Sequence, residues 1–264
     1  MTAMTTDGRM PLMDHLRELR NRIVKVMLAV AFGAIICWIF YNQIIDVLLH
    51  PYCSTLSDAA KKSASEILGS DGGCKLLNTD PLAPFSLRVT VASYGGIVIA
   101  IPVILWQLWR FISPGLHVHE KRYAVPFVVT GVMLFLLGGG LAFWSIPRAL
   151  DFLINIGGPN LVSVFSPKPY LSFVVKMIVA FGIGFEFPLV LCFLQMLGVV
   201  QYSILAKYRR HAAVGITALV AVITPSGDPI TLIVMTVPMY LFYEASILYG
   251  RWWTRKRRKR AALA

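Results

Sequence analysis

Six apolar stretches recur along this chain, and they limit what it can become. They cover about residues 23–41, 89–109, 124–146, 176–197, 211–223 and 230–249. A helix of ~20 mostly apolar residues crosses a ~30 Å hydrocarbon core, and five of the six are long enough. Composition agrees: 57% of the 264 residues are hydrophobic and 14% charged, whereas soluble domains run at about 45–50% and about 25%. A mean hydropathy of +0.68 excludes an ordinary soluble domain and excludes disorder. The expected fold is an all-α polytopic membrane protein with six transmembrane helices over residues 1–249, followed by a basic tail at 250–264.

The fifth stretch is short. Its uncharged part, residues 212–223, spans roughly 18 Å as a helix. Either the bilayer thins around it or it forms a buried hairpin with the sixth stretch. The two are separated only by TPSGDP (224–229), whose two prolines and one glycine end a helix. Ahead of the first stretch, Leu12, Leu16, Leu19 and Ile23 share one helical face, so an amphipathic helix over about 10–22 leads into the first span. Asp7, Asp14 and Glu18 interrupt this region, which does not read as a cleavable signal sequence.

Charge sets the expected orientation. Six crossings put both ends on one side, which then holds 18 of the 25 Lys and Arg residues. The positive-inside rule makes that side cytoplasmic. Trp106, Trp109, Trp252 and Trp253 fit an aromatic belt at that interface. The run RKRRKR (255–260) lies just beyond the last span, where it attracts anionic lipid headgroups rather than nucleic acid. Cys37 and Cys192 fall within spans and read as small packing residues. Cys53 and Cys74 share the first external loop, an oxidising setting that permits a disulfide.

Catalytic chemistry is missing. The sequence has no G-x-S-x-G elbow, no Walker loop and no second His to complete a zinc helix at 119–123. The triplet Gly138, Gly139, Gly140 sits inside a span, where small residues admit a neighbouring helix. No metal or cofactor is expected. A few acids stand out instead. Glu186, in FGIGFEFPLV (181–190), falls near mid-bilayer, where a carboxylate costs at least ~2.5–3.5 kcal/mol. It must face a cavity or a partner, or hold a proton; Gly182 and Gly184 leave room beside it. Glu18 is set either to pair with Arg22 one turn on or to receive a cationic ligand. Glu120 is either a solvated loop acid beside Lys121 or a second such carboxylate. Glu244 is placed to snorkel from the sixth span, and Asp228 to cap the helix that begins at Pro229.

Five motifs occur in register with the six spans: HLRELRNR (15–22), PVILWQLWRFISPGLHVHEKR (102–122), FGIGFEFP (181–188), ITPSGDP (223–229) and VPMYLFYE (237–244). Together they resemble the TatC family, the multispanning core of the twin-arginine protein translocase, over nearly the whole chain. The resemblance implies a glove-shaped six-span protein, not an enzyme, with both termini in the cytoplasm. It implies binding of folded cargo through signal peptides bearing two adjacent arginines. It also implies association with small single-span partners of the TatA/TatB type and with further copies of itself, driven by the proton gradient. By the same resemblance, Glu18 and Glu120 match the arginine-binding carboxylates, and Leu19, Arg20, Phe111, Pro114 and Leu116 the patch around them. Glu186 matches the intramembrane acid, and Pro51 and Asp228 match external positions. Relatives carry a partner-docking polar residue near the start of the sixth helix; here that stretch reads Ile230, Thr231, Leu232, leaving the hydroxyls of Thr224 and Thr231 as candidates. The rival reading, a small-solute secondary transporter, calls for inverted repeats, and the two halves of this chain do not match.

Overall fold

The computed structural model describes residues 12–55, 80–112, 124–156, 166–196, 198–224 and 227–261. Among them are eight helices and no strand. In chain order they are α1 (Leu12–Ile39), α2 (Tyr41–Thr55), α3 (Ala83–Ile112), α4 (Ala124–Ile156), α5 (Pro167–Met196), α6 (Tyr202–Lys207), α7 (Arg209–Ile223) and α8 (Pro229–Ala261). Five of them, α1, α3, α4, α5 and α8, are long and apolar enough to cross a membrane. With 15 residues, α7 reaches only ~22 Å, which keeps it the short member of the set.

The long helices outrun the apolar stretches. The polar N-terminal segment and the first span form one unbroken rod in α1, and α8 carries the backbone of the basic run as far as Ala261. Hydropathy stops where charged side chains begin, whereas backbone hydrogen bonding continues wherever no breaker intervenes. Breakers do intervene after α5 and before α8. Gly198 (φ +75°) takes the left-handed turn beyond Met196, and the N–H groups of Val199 and Val200 donate back to the Leu194 carbonyl. Gly227 (φ +60°) turns the chain into the start of α8.

Helix α5 forms the hub, touching α2, α3, α4 and α8. Around its first half, Tyr170, Leu171 and Val174 bury against Leu48 and Tyr52 of α2, Leu87 and Val91 of α3, and Ile146 of α4. Around its middle, Met177 and Phe181 meet Met235, Met239 and Tyr243 of α8 and Val220 of α7. Helix α1 leans on α3 at a glycine crossing. A Cβ on Gly96 would lie 2.6 Å from the Val30 carbonyl oxygen, and one on Gly33 2.8 Å from the Gly96 oxygen. Neither position admits a side chain without moving a backbone. In the glycine triplet only Gly138 sits at such an approach, 2.6 Å from the Phe181 oxygen, while Gly140 faces open space.

Candidate functional site

Glu18 and Leu19 lie near the start of α1, and Gln107, Arg110 and Phe111 lie in the last turns of α3. These two helix ends meet. Arg22 forms an ion pair with Glu18 one turn away, and its Nη1 lies 3.5 Å from both the backbone oxygen and Oε1 of Gln107. Glu18 therefore makes the local pair expected of it, and α3 holds the arginine that it engages. Around them is a polar pocket of about 350 Å3, lined also by Arg17, Lys25 and Arg110. Beside it runs an apolar groove of about 210 Å3 with Leu19, Ile23, Met27, Leu108 and Phe111 in its walls. Arg22 and Gln107 border both.

The structure thus brings Glu18, Leu19 and Phe111 together, and leaves Arg20 on an exposed face of α1. Pro114, Leu116 and Glu120 lie outside the described residues, as does Cys74. Gln107 gave no sequence signal, because a lone glutamine in an apolar helix means little until the facing helix is known.

Glu186 sits inside the bundle. Both of its carboxylate oxygens are buried with no hydrogen-bond partner among the described residues. The glycine facing it is Gly131 of α4, where a Cβ would approach Glu186 Oε2 to 3.1 Å and Leu105 Cδ1 to 2.6 Å. Gly182 and Gly184 do not provide the expected room, since the Phe135 ring fills the space over Gly182 and the Met235 side chain that over Gly184. Gly182 lies one turn before residue 186 on the same face, but the Phe135 ring already occupies its space, whereas Gly184, two positions away, faces α8 instead. Next to this acid, Thr130 and Leu189 line an apolar cavity of about 240 Å3. Its wall is an aromatic cluster in which the Trp109 ring centroid lies 4.8 Å from that of Phe127 and 5.2 Å from that of Phe193.

Asp228 caps α8. Its Oδ1 accepts the Thr231 backbone N–H at 2.8 Å, and its Oδ2 accepts the Thr231 hydroxyl at 2.6 Å. This arrangement corrects the expectation that Thr224 and Thr231 offer hydroxyls to a partner. Both side chains are buried, and the Thr224 hydroxyl donates to the Val220 carbonyl at 2.8 Å. Glu244 does not snorkel freely: it pairs with Arg209 at 3.0 Å and accepts from the Tyr240 hydroxyl at 3.3 Å. At the opposite end of the bundle Pro51 is fully buried within α2, and the Tyr170 hydroxyl ties α5 to the Leu48 carbonyl at 3.0 Å. Cys37 and Cys192 are free thiols, the former buried against Gly95. Among the described residues no group of His, Cys, Asp and Glu could hold a metal ion.

Spanning-length helices about a buried hub, joined by short helices, define a multi-pass α-helical membrane protein. Residues 14–238 match the family described as Sec-independent protein translocase protein (TatC). The chain is 38% identical over 257 residues to the TatC of Frankia casuarinae, covering 97% of this chain and 69% of that one. It is 37% identical to the TatC of Aquifex aeolicus, covering 95% and 98% respectively. A crystal structure of the twin-arginine translocase receptor TatC superposes with a TM-score of 0.70 at 36% identity, over 91% of this chain and 99% of that one. The chain belongs to the TatC family, and with it to the Tat system of protein transport.

Proposed function

We propose that this protein is the signal-peptide receptor of a twin-arginine translocase. Glu18 and Glu120 form an anionic clasp for two adjacent guanidiniums, with Leu19, Arg20, Phe111, Pro114 and Leu116 around it. Planar guanidinium groups make charge-assisted, bidentate bonds to carboxylates, which a lysine cannot reproduce. The observation that carries this reading is the meeting of Glu18, Leu19 and Phe111 where a polar pocket adjoins an apolar groove. Within that pocket the carboxylate of Glu18 can accept from an arginine, and the groove suits the apolar stretch that follows. The structure described as the twin-arginine translocase receptor TatC supports the same reading by likeness.

The six-span unit of residues 1–249 would sit in the cytoplasmic membrane with both termini inside and the basic tail against anionic lipid. Partners of the TatA/TatB type and further copies of the chain complete the machine, and the proton gradient supplies the energy. Glu186 is the candidate intramembrane group in that step, and Pro51 and Asp228 are the candidate positions at the external end. The test is site-specific crosslinking to a twin-arginine signal peptide in membranes. Glu18→Ala and Glu120→Ala are expected to leave the protein inserted while weakening the crosslink, roughly tenfold or more for a lost charged contact of about 1.5–3 kcal/mol. An undiminished crosslink in the double variant would overturn the assignment.

A further inference from the structure

Among the described residues, cations outnumber acids in the polar pocket between α1 and α3. Among these residues, the cations Arg17, Arg22 and Lys25 line it against the carboxylate of Glu18, which is already paired with Arg22. The Arg22 side chain is only 12% exposed, and its Nε is buried with no hydrogen-bond partner among the described residues. A buried guanidinium N–H without an acceptor is costly, and an anionic oxygen is the group that satisfies it. The pocket's depth is also defined. It lies at the first turns of the apolar segment Leu16–Ile39 and the last turn of the segment Ala83–Phe111, which is the level of lipid headgroups on whichever side these ends face. The adjoining groove, walled by Leu19, Ile23, Met27, Leu108 and Phe111, is apolar and runs from the same Arg22 and Gln107 toward the hydrocarbon.

We propose that this pocket binds the phosphate of an anionic membrane phospholipid, held by Arg17, Arg22 and Lys25, with an acyl chain in the groove. Basic pockets between membrane helices at headgroup depth are suited to this chemistry. The groove argues for a lipid phosphodiester over free phosphate, which would leave that apolar surface uncovered. The phosphate competes with Glu18 for the Arg22 guanidinium, and so leaves the carboxylate open to another cation. The inference holds whether or not the site also receives signal peptides.

The test is titration of the full chain in detergent with phosphatidylglycerol, bound lipid being counted by native mass spectrometry. Arg17→Gln/Lys25→Gln removes two exposed cations and is expected to weaken the tightest lipid roughly 30-fold, about fivefold per charge. Arg22→Gln is expected to weaken it at least as much. Arg148→Gln/Lys168→Gln, the same charge change at exposed residues away from both the pocket and the basic tail, is expected to leave that lipid in place. Equal losses in the pocket and control variants would show diffuse attraction and overturn the proposal, as would unchanged binding in Arg17→Gln/Lys25→Gln. Phosphatidylcholine is expected to bind far more weakly, and equal binding would overturn the proposal. Displacement by millimolar inorganic phosphate would reassign the pocket to the free anion, which also overturns the lipid assignment.

Discussion

Asp228 shows how much one side chain settles. It is 2% exposed, and its two oxygens take the N–H and the hydroxyl of Thr231. Pro229 follows as the first helical residue, a position that needs no N–H of its own. Asp228→Ala should destabilise the protein by ~0.5–2 kcal/mol, read as a lowered thermal midpoint in detergent, with Asp228→Asn losing less because its amide oxygen still accepts. An unchanged midpoint for the alanine variant would remove the cap as a contributor. This role was legible in the sequence, because an acid directly before a helix-initiating proline is a local signal. The pairing of Glu244 with Arg209 was not, since those residues are far apart in sequence and meet only when α7 folds back on α8. The burial of the Thr224 and Thr231 hydroxyls was hidden for a related reason: sequence shows that a hydroxyl is present, not which way it turns.

Among the elements, the α1–α3 crossing is the most demanding. Gly96→Leu would drive a side chain into the α1 backbone at Val30, an overpacking that costs typically ~1–3 kcal/mol. Gly140→Leu, at a site with nothing within 4 Å, should change stability by no more than about 0.5 kcal/mol. Thermal unfolding of the two variants side by side checks this, and equal effects would refute the crossing. Length explains which helices the sequence revealed. A search for crossings of ~20 residues finds α1, α3, α4, α5 and α8, and passes over α2. Yet Tyr41, Ile44, Ile45, Leu48, Leu49 and Tyr52 repeat at helical spacing, and all six pack into the cluster around Tyr170. That period was the available signal for α2.

At the scale of the whole molecule, hydropathy ranks poorly. The apolar windows of α1 and α5 are nearly alike, at 2.1 and 2.2, but 11% of the first and 50% of the second are buried. Lipid and protein interior are both apolar, so the same residues suit either and only the packing tells hub from periphery. Charge speaks to orientation instead. With 18 of 25 basic residues on one side, a reporter fused after residue 264 should read as cytoplasmic and one inserted between residues 56 and 79 as external. The reverse pattern would invert the topology. The class of protein was therefore open to inspection of the sequence, as was half of its candidate site. The partnership of Glu18 and Arg22 with Gln107 needed the fold, because it joins two helices whose facing surfaces no periodicity specifies.

The unbroken course of α1 has a mechanical corollary. Besides its hold on Gln107 through Arg22, this continuous helix crosses α3 at Gly33. Glu18 sits fifteen positions from that point, an arm of roughly 22 Å, so tilting the rod by about 5° sweeps the carboxylate through about 2 Å. A lean of α1 about Gly33 therefore reaches Glu18 only by working the Arg22–Gln107 contact beside it.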